Sequence, residues 1–195
     1  PTGSLVRPGE LEELAERCAR RGAALILDEV FADYVLAPAP ASSIAPTALA
    51  RECLTFRLGG LSKSAGLPQV KLGWIAAAGP EPLVCEALAR LEVICDAYLS
   101  VSTPVQAAAS SLIEAGAQVR DGILERIRTN VATLASLAAK HPAIHLLPVD
   151  GGWSAVLRVP STRSEEDLVL ELLERDDVLV HPGFFVENQL GGPNP

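Results

Sequence analysis

The chain has 195 residues, enough for one large domain or two small ones, and its hydrophobic fraction of 49% allows a packed core. Its net charge of −8 and isoelectric point near 4.9 argue against a nucleic-acid partner, because no basic binding face is expected on such an acidic background. No apolar run reaches transmembrane length and no signal-peptide pattern opens the chain, so we expect a cytoplasmic protein without a membrane partner.

The four cysteines form no CxxC pair and show no metal-ligand spacing with the three histidines, so we predict no metal site. Cys18, Cys85 and Cys95 fall on apolar positions of predicted helices. This pattern predicts buried free thiols in a reducing compartment and not a disulfide framework.

The first hundred residues alternate between helical and strand-like patterns, which is typical of an α/β layer. Pro8 is suited to the first turn of a helix, and Gly22 ends it. The next apolar run is short and continuous, which predicts a strand buried on both faces that ends at Asp28. Ligand groups gather at the carboxyl ends of such strands. The predicted elements are a helix from Pro8 to Gly22, strands over 23–27, 53–58 and 72–78, and a helix over 81–99.

The second part of the chain predicts a small α+β unit that follows a long helix. Thr103 is expected to cap this helix, Pro104 lies in its first turn, and His141-Pro142 ends it. Such a helix is long enough to cross from one domain to the next. The remaining predicted elements are strands over 144–147, 154–159 and 178–180, and an amphipathic helix over 164–175 with Ser164 as its N-cap.

Two lysines lie in a Gly/Ser/Pro-rich turn region between two predicted strands, at residues 59–74. A lysine can form a Schiff base with an aldehyde cofactor, so Lys63 is the candidate anchor. Pyridoxal phosphate (PLP) also needs a carboxylate for its pyridine nitrogen and polar or cationic groups for its phosphate. Asp28 is the candidate for the first role, and Ser62 and Lys71 are candidates for the second.

Each of these signals is weak by itself. A Ser-Lys pair such as Ser62-Lys63 is ordinarily explained by an exposed lysine. Lys71 by itself is ordinarily explained as a solvated surface charge. Asp28 could cap the turn that follows it, and Glu29 is expected to be structural. The joint order of buried strand, Asp, strand, Ser-Lys, loop and Lys-Leu-Gly carries more weight than any one of its parts.

This order resembles the class I/II aminotransferase family, fold-type I of the PLP-dependent enzymes. The resemblance covers almost the whole chain and stops near the tail, from Gln189. The matching segments are Pro1-Thr2-Gly3 for the end of the family's Asn-Pro-Thr-Gly motif, Asp28-Glu29-Val30-Phe31 for Asp-Glu-Val-Tyr, Ser62-Lys63 with Gly66 and Lys71-Leu72-Gly73 for the lysine motif, and Gly151-Gly152-Trp153 for a Gly-Gly-aromatic segment of the small domain.

The resemblance implies an α/β fold in which residues 1–103 are part of the PLP-binding large domain, with a mainly parallel sheet and helices. Residues 104–195 would hold the interdomain helix and a truncated small α+β C-terminal domain. It further implies a homodimeric aminotransferase that transfers an amino group between an amino acid and a 2-oxo acid. Lys63 would form the Schiff base, Asp28 would pair with the pyridinium nitrogen, and Ser62 and Lys71 would bind the phosphate.

The chain also departs from the family pattern. Phe31 stands where the family usually has Tyr, Lys71 replaces the usual Arg, and Gly60 stands where many members have Ser. The family's cofactor-contacting Asn and substrate-binding Arg would lie before Pro1 and after Pro195. The chain contains no methionine and would lack the family's N-terminal half, so we expect a part of a longer protein that does not complete the reaction alone.

Other functions share these residues. A C–S lyase or other β-eliminating enzyme would also use Lys63 and Asp28, and Phe31 keeps that alternative open. An aminotransferase-like ligand-sensing domain of a transcription regulator is a second alternative, and a structural fragment that binds no cofactor is a third. Trp153 could line a substrate pocket or serve as a core aromatic, His181 is expected to be a turn residue, and Tyr34 is out of register with the family's Tyr.

Overall fold

The computed structural model describes residues 2–36, 53–98 and 101–185. The predicted helix end at Leu99 lies outside these residues. The helices and strands are α1 (Pro8–Arg21), β1 (Leu25–Asp28), β2 (Thr55–Gly60), α2 (Leu61–Ser64), β3 (Gly73–Ala78), α3 (Glu81–Ala97), α4 (Thr103–Ala138), β4 (His145–Leu146), β5 (Leu157–Arg158) and α5 (Glu165–Asp176), with 3-10 turns at Pro68–Val70 and Gly183–Phe185.

Helix α1 begins and ends as its sequence predicts. Pro8 opens the helix, and the Glu10 carboxylate accepts a hydrogen bond from the Arg7 amide at 2.8 Å. Gly22 ends it in the left-handed conformation at φ 61°, which glycine adopts without steric cost. Leu11 and Ala15 on the inner face are 3% and 2% exposed and pack in a small core with Cys53, Leu25 and Leu27.

The sheet contains three strands in the order β1-β2-β3. Strands β1 and β2 are parallel, with Leu25 opposite Thr55 and Asp28 opposite Leu58. Strands β2 and β3 are antiparallel, and their ladder ends at the pair Gly60–Gly73. The α/β class is therefore confirmed. Residues 61–72, which we call the lysine turn, join β2 to β3 at the edge where β1 also ends.

The prediction that β1 is buried on both faces is wrong for the described part of the chain. Side chains of a strand point alternately to opposite faces. Leu25 and Leu27 face α1, whereas Ile26 on the other face is 65% exposed. The reason is that none of the described elements covers that second face.

The prediction of buried cysteines on α3 is wrong for the same reason, since none of the described elements covers the face on which they lie. All four cysteines are free thiols, as expected, but Cys85 and Cys95 are exposed and Cys18 is only partly buried. Within α3 the buried residue is Ala87, while apolar Ile94 is 51% exposed. Helical periodicity thus identified an apolar face of α3 but not whether another element packs on it.

Helix α4 runs unbroken for 36 residues and passes from the sheet region to the second part of the chain. Its N-cap is Ser102, one residue before the predicted Thr103. In the second part, β4 and β5 form an antiparallel pair. Ser164 caps α5 as predicted, and its hydroxyl accepts a hydrogen bond from the Asp167 amide at 3.1 Å.

The predicted strand over 178–180 is not formed. Asp177 adopts the left-handed conformation at φ 54° and ends α5, and the Val178 amide then donates to the Leu172 carbonyl at 3.1 Å. This amide closes the helix and is not available for a strand ladder. Among the described residues, no helix combines the length and the apolar character needed to cross a membrane.

The lysine turn rests directly on α4. A Cβ atom added to Gly116 of α4 would overlap the Ala65 side chain and lie 3.0 Å from the Ala65 Cα. Gly66 follows at φ 66° and faces Val119 of the same helix. The missing side chain at Gly116 therefore allows α4 to support the turn that carries Lys63.

Two glycines of α4 provide a matched test of this contact. Gly122→Ala should raise the free energy of unfolding by about 0.5–1 kcal/mol, because alanine is the better helix former and no atom lies within 4 Å of the new Cβ. Gly116→Ala should instead lower it by about 1–3 kcal/mol, because the new methyl group forces α4 and the lysine turn apart. Urea denaturation measures both. Equal stabilisation by the two variants would contradict the close contact.

Candidate active site

Lys63 lies in a short backbone structure that fixes its position. It is the third residue of α2, directly after β2. The Leu61 side chain is fully buried, and its amide donates to the Leu72 carbonyl at 3.0 Å. The Leu61 carbonyl accepts from the amides of Ala65 and Leu67, each at 3.1 Å. Both ends of the lysine turn are therefore tied to the same buried residue.

The amine of Lys63 lies against two aromatic rings from distant parts of the sequence. Its Nζ is 4.9 Å from the ring centroid of Trp153 and 5.6 Å from that of Phe31. The Phe31 and Trp153 rings meet edge to face at 5.4 Å. A cation at these distances is attracted by the ring faces. The structure therefore places Trp153 beside the candidate anchor, with 39% of its surface exposed.

Glycines bring Trp153 to this position. The Gly152 amide donates to the Tyr34 carbonyl at 2.8 Å, and Gly152 itself has φ 80°. A Cβ atom at Gly151 would lie 2.6 Å from the Tyr34 carbonyl oxygen, so only glycine allows this approach. The Gly151 amide donates to the Gly3 carbonyl at 3.0 Å. Two glycine motifs singled out in the sequence therefore meet beside Lys63.

Asp28 ends β1 at the same edge of the sheet. The parallel register sets it opposite Leu58, and Lys63 follows Leu58 by five residues. The Asp28 side chain is exposed, and its Oδ1 accepts a hydrogen bond from the Val30 amide at 3.3 Å. The carboxylate therefore caps the following turn while the residue remains exposed.

Glu29 has a structural role, as expected. Its carboxylate pairs with the Arg57 guanidinium at 2.5 Å, and the two side chains are 29% and 24% exposed. The Glu29 amide donates to the Leu58 carbonyl at 3.1 Å. This ion pair joins β1 to β2 next to Asp28.

Ser62 directly follows Leu61 and Lys71 directly precedes Leu72, whose amide and carbonyl are joined by a hydrogen bond of 3.0 Å. Both residues therefore lie at the base of the lysine turn, where it leaves and rejoins the β2–β3 ladder. Lys71 is exposed and has φ 52°, which is uncommon for a residue other than glycine.

Tyr34 is the residue that sequence reasoning missed. Its side chain is fully buried, and its hydroxyl donates a hydrogen bond to the Lys63 carbonyl at 2.5 Å. Burial raises the pKa of Tyr34, and the nearby Asp33 carboxylate raises it further, while Arg120 opposes the shift. The hydroxyl therefore stays protonated and can donate at neutral pH. A partner 29 residues away leaves no local signal in the sequence.

Two further features do not include the four predicted site residues. His181 is exposed, and it precedes the buried Pro182 and the 3-10 turn Gly183–Phe185. An open cavity of about 510 Å³ is lined by residues such as Leu72, Ile94 and Tyr98, and its lining includes none of the four predicted site residues. Within the described ranges, no group of three His, Cys, Asp or Glu side chains could hold a metal ion.

Comparisons with known proteins identify the family to which the chain is similar. The family model described as "Aminotransferase class I and II" matches residues 1–190. Capreomycidine synthase of Streptomyces vinaceus is 32% identical over 184 residues, which cover 94% of this chain and 45% of that protein. The 3-methylarginine biosynthesis aminotransferase ArgM of Streptomyces arginensis is 30% identical over 173 residues, covering 87% of this chain and 44% of ArgM. The chain thus spans about half the length of these relatives.

A solved structure supports the fold. The alanine aminotransferase of Pyrococcus furiosus superimposes with a TM-score of 0.79 at 24% sequence identity. The match covers 96% of this chain and 48% of that structure. At this level of identity the likeness establishes the fold.

The Arg57–Glu29 pair can be tested against a surface pair of the same type. Arg57→Ala should lower the free energy of unfolding by about 1–3 kcal/mol, because it leaves the half-buried Glu29 carboxylate without its partner. Arg90→Ala removes an exposed pair with Glu86 and should stay within about 0.5 kcal/mol of wild type. Urea denaturation measures the free energy of unfolding of both variants. Equal losses of that free energy would show that the Arg57–Glu29 pair contributes no more than a surface contact.

Proposed function

The chain belongs to the aminotransferase class I and II family, and from this premise we propose that it forms part of a PLP-dependent aminotransferase. Such an enzyme transfers an amino group between an amino acid and a 2-oxo acid. The observation that carries the proposal is the Lys63 amine, held against Trp153 and Phe31 at the edge where β1 and β2 end. Because the chain spans about half the length of its relatives, the proposal concerns the full-length protein.

The side chains at this edge fit PLP by their chemistry. Lys63 offers an amine for the aldehyde, Asp28 a carboxylate for the pyridine nitrogen, and Ser62 and Lys71 a hydroxyl and an ammonium for the phosphate. When bound, PLP supplies an aldehyde that condenses with amines and a ring that accepts the electron pair of the substrate Cα–H bond.

The residues of the chain would divide the work as follows. The Lys63 Nζ would hold the cofactor aldehyde and would move the proton that leaves the substrate α-carbon. The Asp28 carboxylate would favour the protonated ring nitrogen by its negative charge. The Ser62 hydroxyl would donate to the phosphate, and Lys71 would compensate its charge as a point charge without the bidentate geometry of arginine. Trp153 and Phe31 exclude water from one side of the amine.

The organisation of the longer protein is part of the same proposal. Residues 1–103 belong to the PLP-binding domain, and residues 104–195 hold the interdomain helix and part of the small domain. The contact of the lysine turn with Gly116 of α4 supports a helix that reaches both parts. We further propose a homodimer in the cytoplasm, as the family resemblance implies.

The anchor can be identified chemically. Borohydride reduction of the full-length protein with bound PLP should add a pyridoxyl group to the peptide that contains Lys63, as read by mass spectrometry. Lys63→Ala should lose the label and lower kcat on the order of 10²–10⁴-fold, because the proton-transferring amine is gone. Lys140→Ala, at an exposed lysine beyond α4, should keep both label and activity. A label on another lysine would overturn the assignment of Lys63.

A guanidino amino acid is the substrate class that we propose. The name of ArgM refers to 3-methylarginine. The Trp153 ring lies beside the proposed cofactor-binding amine of Lys63 and is 39% exposed, so a substrate side chain can reach it. Guanidinium groups stack well on aromatic faces. With 2-oxoglutarate as acceptor, kcat/KM for arginine should therefore exceed that for alanine. Trp153→Leu should reduce the preference by about 2–30-fold, the range of one cation–π contact. An unchanged ratio in that variant would remove Trp153 from substrate recognition.

A β-eliminating enzyme is the second candidate, and the absent hydroxyl at Phe31 favours it. Transamination converts 2-oxoglutarate to glutamate in step with loss of the donor amino acid. β-Elimination instead releases the β-substituent of the amino acid, such as a thiol, and, after hydrolysis by water, ammonia and a 2-oxo acid. Measuring glutamate and ammonia in one reaction distinguishes transamination from β-elimination. Ammonia without glutamate would contradict the aminotransferase proposal and support a β-eliminating lyase.

A further inference from the structure

Tyr34 lies where it can control both the main chain and the surroundings of Lys63. Its side chain is 0% exposed although it follows an exposed turn residue, Asp33. The Tyr34 amide donates to the Phe31 carbonyl at 3.0 Å, which holds it on the turn that leads out of β1. The position of this tyrosine is therefore fixed from its own backbone.

The Tyr34 hydroxyl supplies a donor to a carbonyl at the end of a helix. Helix α2 has four residues, and the last carbonyls of a helix lack partners within it. The hydroxyl bonds to the carbonyl oxygen of Lys63 at 2.5 Å. This bond orients the peptide plane that follows Lys63, and with it the direction in which the lysine side chain leaves the backbone.

The ring and the carbonyl of Tyr34 both contact the segment that carries Trp153, the ring beside the Lys63 amine. The ring meets Trp153 edge to face, with centroids 5.2 Å apart and planes at 70°. The Tyr34 carbonyl accepts from the Gly152 amide at 2.8 Å. Trp153 in turn lies 4.9 Å from the Lys63 Nζ. One residue thus contacts the backbone of Lys63 and the ring against which its amine lies.

We propose that Tyr34 is a positioning residue that aims the Lys63 amine, with its hydroxyl fixing the Lys63 main chain and its ring and carbonyl fixing Trp153. The inference rests on the proposed role of Lys63 as the cofactor-binding amine. A reacting group that moves by about 1 Å can lose up to 100-fold in rate. Loss of the hydroxyl should therefore affect the proton-transfer step more than substrate binding.

The chain offers a matched control for the test, since Tyr34 and Tyr98 are its two tyrosines and Tyr98 is 81% exposed. The full-length protein is compared as wild type, Tyr34→Phe and Tyr98→Phe. Three properties are measured on each: kcat and KM, the visible circular dichroism of the lysine-bound cofactor, and the far-ultraviolet spectrum with its melting curve. The visible signal depends on how the cofactor is oriented, which a general loss of stability does not change.

Tyr34→Phe should lower kcat about 3–10-fold with KM changed less than about twofold, as expected for the loss of one hydrogen bond that acts on the chemical step. Its visible circular dichroism should change while the far-ultraviolet spectrum stays that of wild type. Tyr98→Phe should match wild type in every property. A Tyr34→Phe protein with wild-type kcat and visible signal overturns the proposal, provided that Lys63 carries the borohydride label in wild type.

If Tyr34→Phe does not fold, Trp153→Phe tests the part of the proposal that concerns the ring beside the amine. This variant keeps the hydrogen bond from the Tyr34 hydroxyl to the Lys63 carbonyl. It replaces the indole ring that Tyr34 contacts with a smaller phenyl ring. The proposal requires an altered visible signal in a folded protein, and an unchanged signal overturns it. If wild type carries no label on Lys63, the proposed function itself fails and the inference fails with it, so the two failures are distinguishable.

Discussion

The parallel pairing of β1 with β2 determines where the chemistry of this chain can lie. It sets Asp28 opposite Leu58 and makes both strands end at one edge. The chain then turns into the segment that carries Lys63, so an acid and an amine 35 positions apart in the sequence are brought to the same edge of the sheet. A slip by one residue would direct each strand side chain to the other face. The packing of Leu25 and Leu27 on α1 specifies the register against such a slip.

The second part of the chain reaches Lys63 through positions that have no side chain. Gly116 lets α4 approach Ala65, and Gly151 lets the segment before Trp153 approach the Tyr34 carbonyl. Backbones that come this close can exchange direct hydrogen bonds, as Gly152 does with Tyr34 at 2.8 Å. The approach of α4 to the lysine turn and the approach of the Trp153 segment to Tyr34 therefore both occur at glycines.

Local signals predicted what is determined locally. The proline start and glycine end of α1, the Ser164 cap of α5 and the strands on either side of Lys63 all depend on neighbouring residues. Burial was predicted less well, because periodicity reveals an apolar face and not its covering, as the exposed Ile26 and Cys95 show.

Among the candidate site residues, too, some positions follow from local sequence patterns and others depend on distant contacts. The strand patterns were enough to predict Asp28 at the end of one strand and Lys63 after another, and the parallel pairing seen in the structure brings these two strand ends to one edge. The role of Tyr34 was not predictable, because it depends on a hydrogen bond to a main-chain atom 29 positions away. Backbone carbonyls are the same in every residue, so such a bond leaves no trace in residue types.

The position of the Tyr34 hydroxyl also limits the chemistry at Phe31. A tyrosine hydroxyl has one proton to donate, and that of Tyr34 is directed to the Lys63 carbonyl. Burial and the Asp33 carboxylate both raise the pKa of Tyr34, which keeps the proton on the oxygen. Tyr34 therefore does not replace the hydroxyl that Phe31 lacks, although the two residues are three positions apart and both rings contact Trp153. In this chain the ring of residue 31 faces the amine of Lys63, and the hydroxyl of residue 34 holds its backbone.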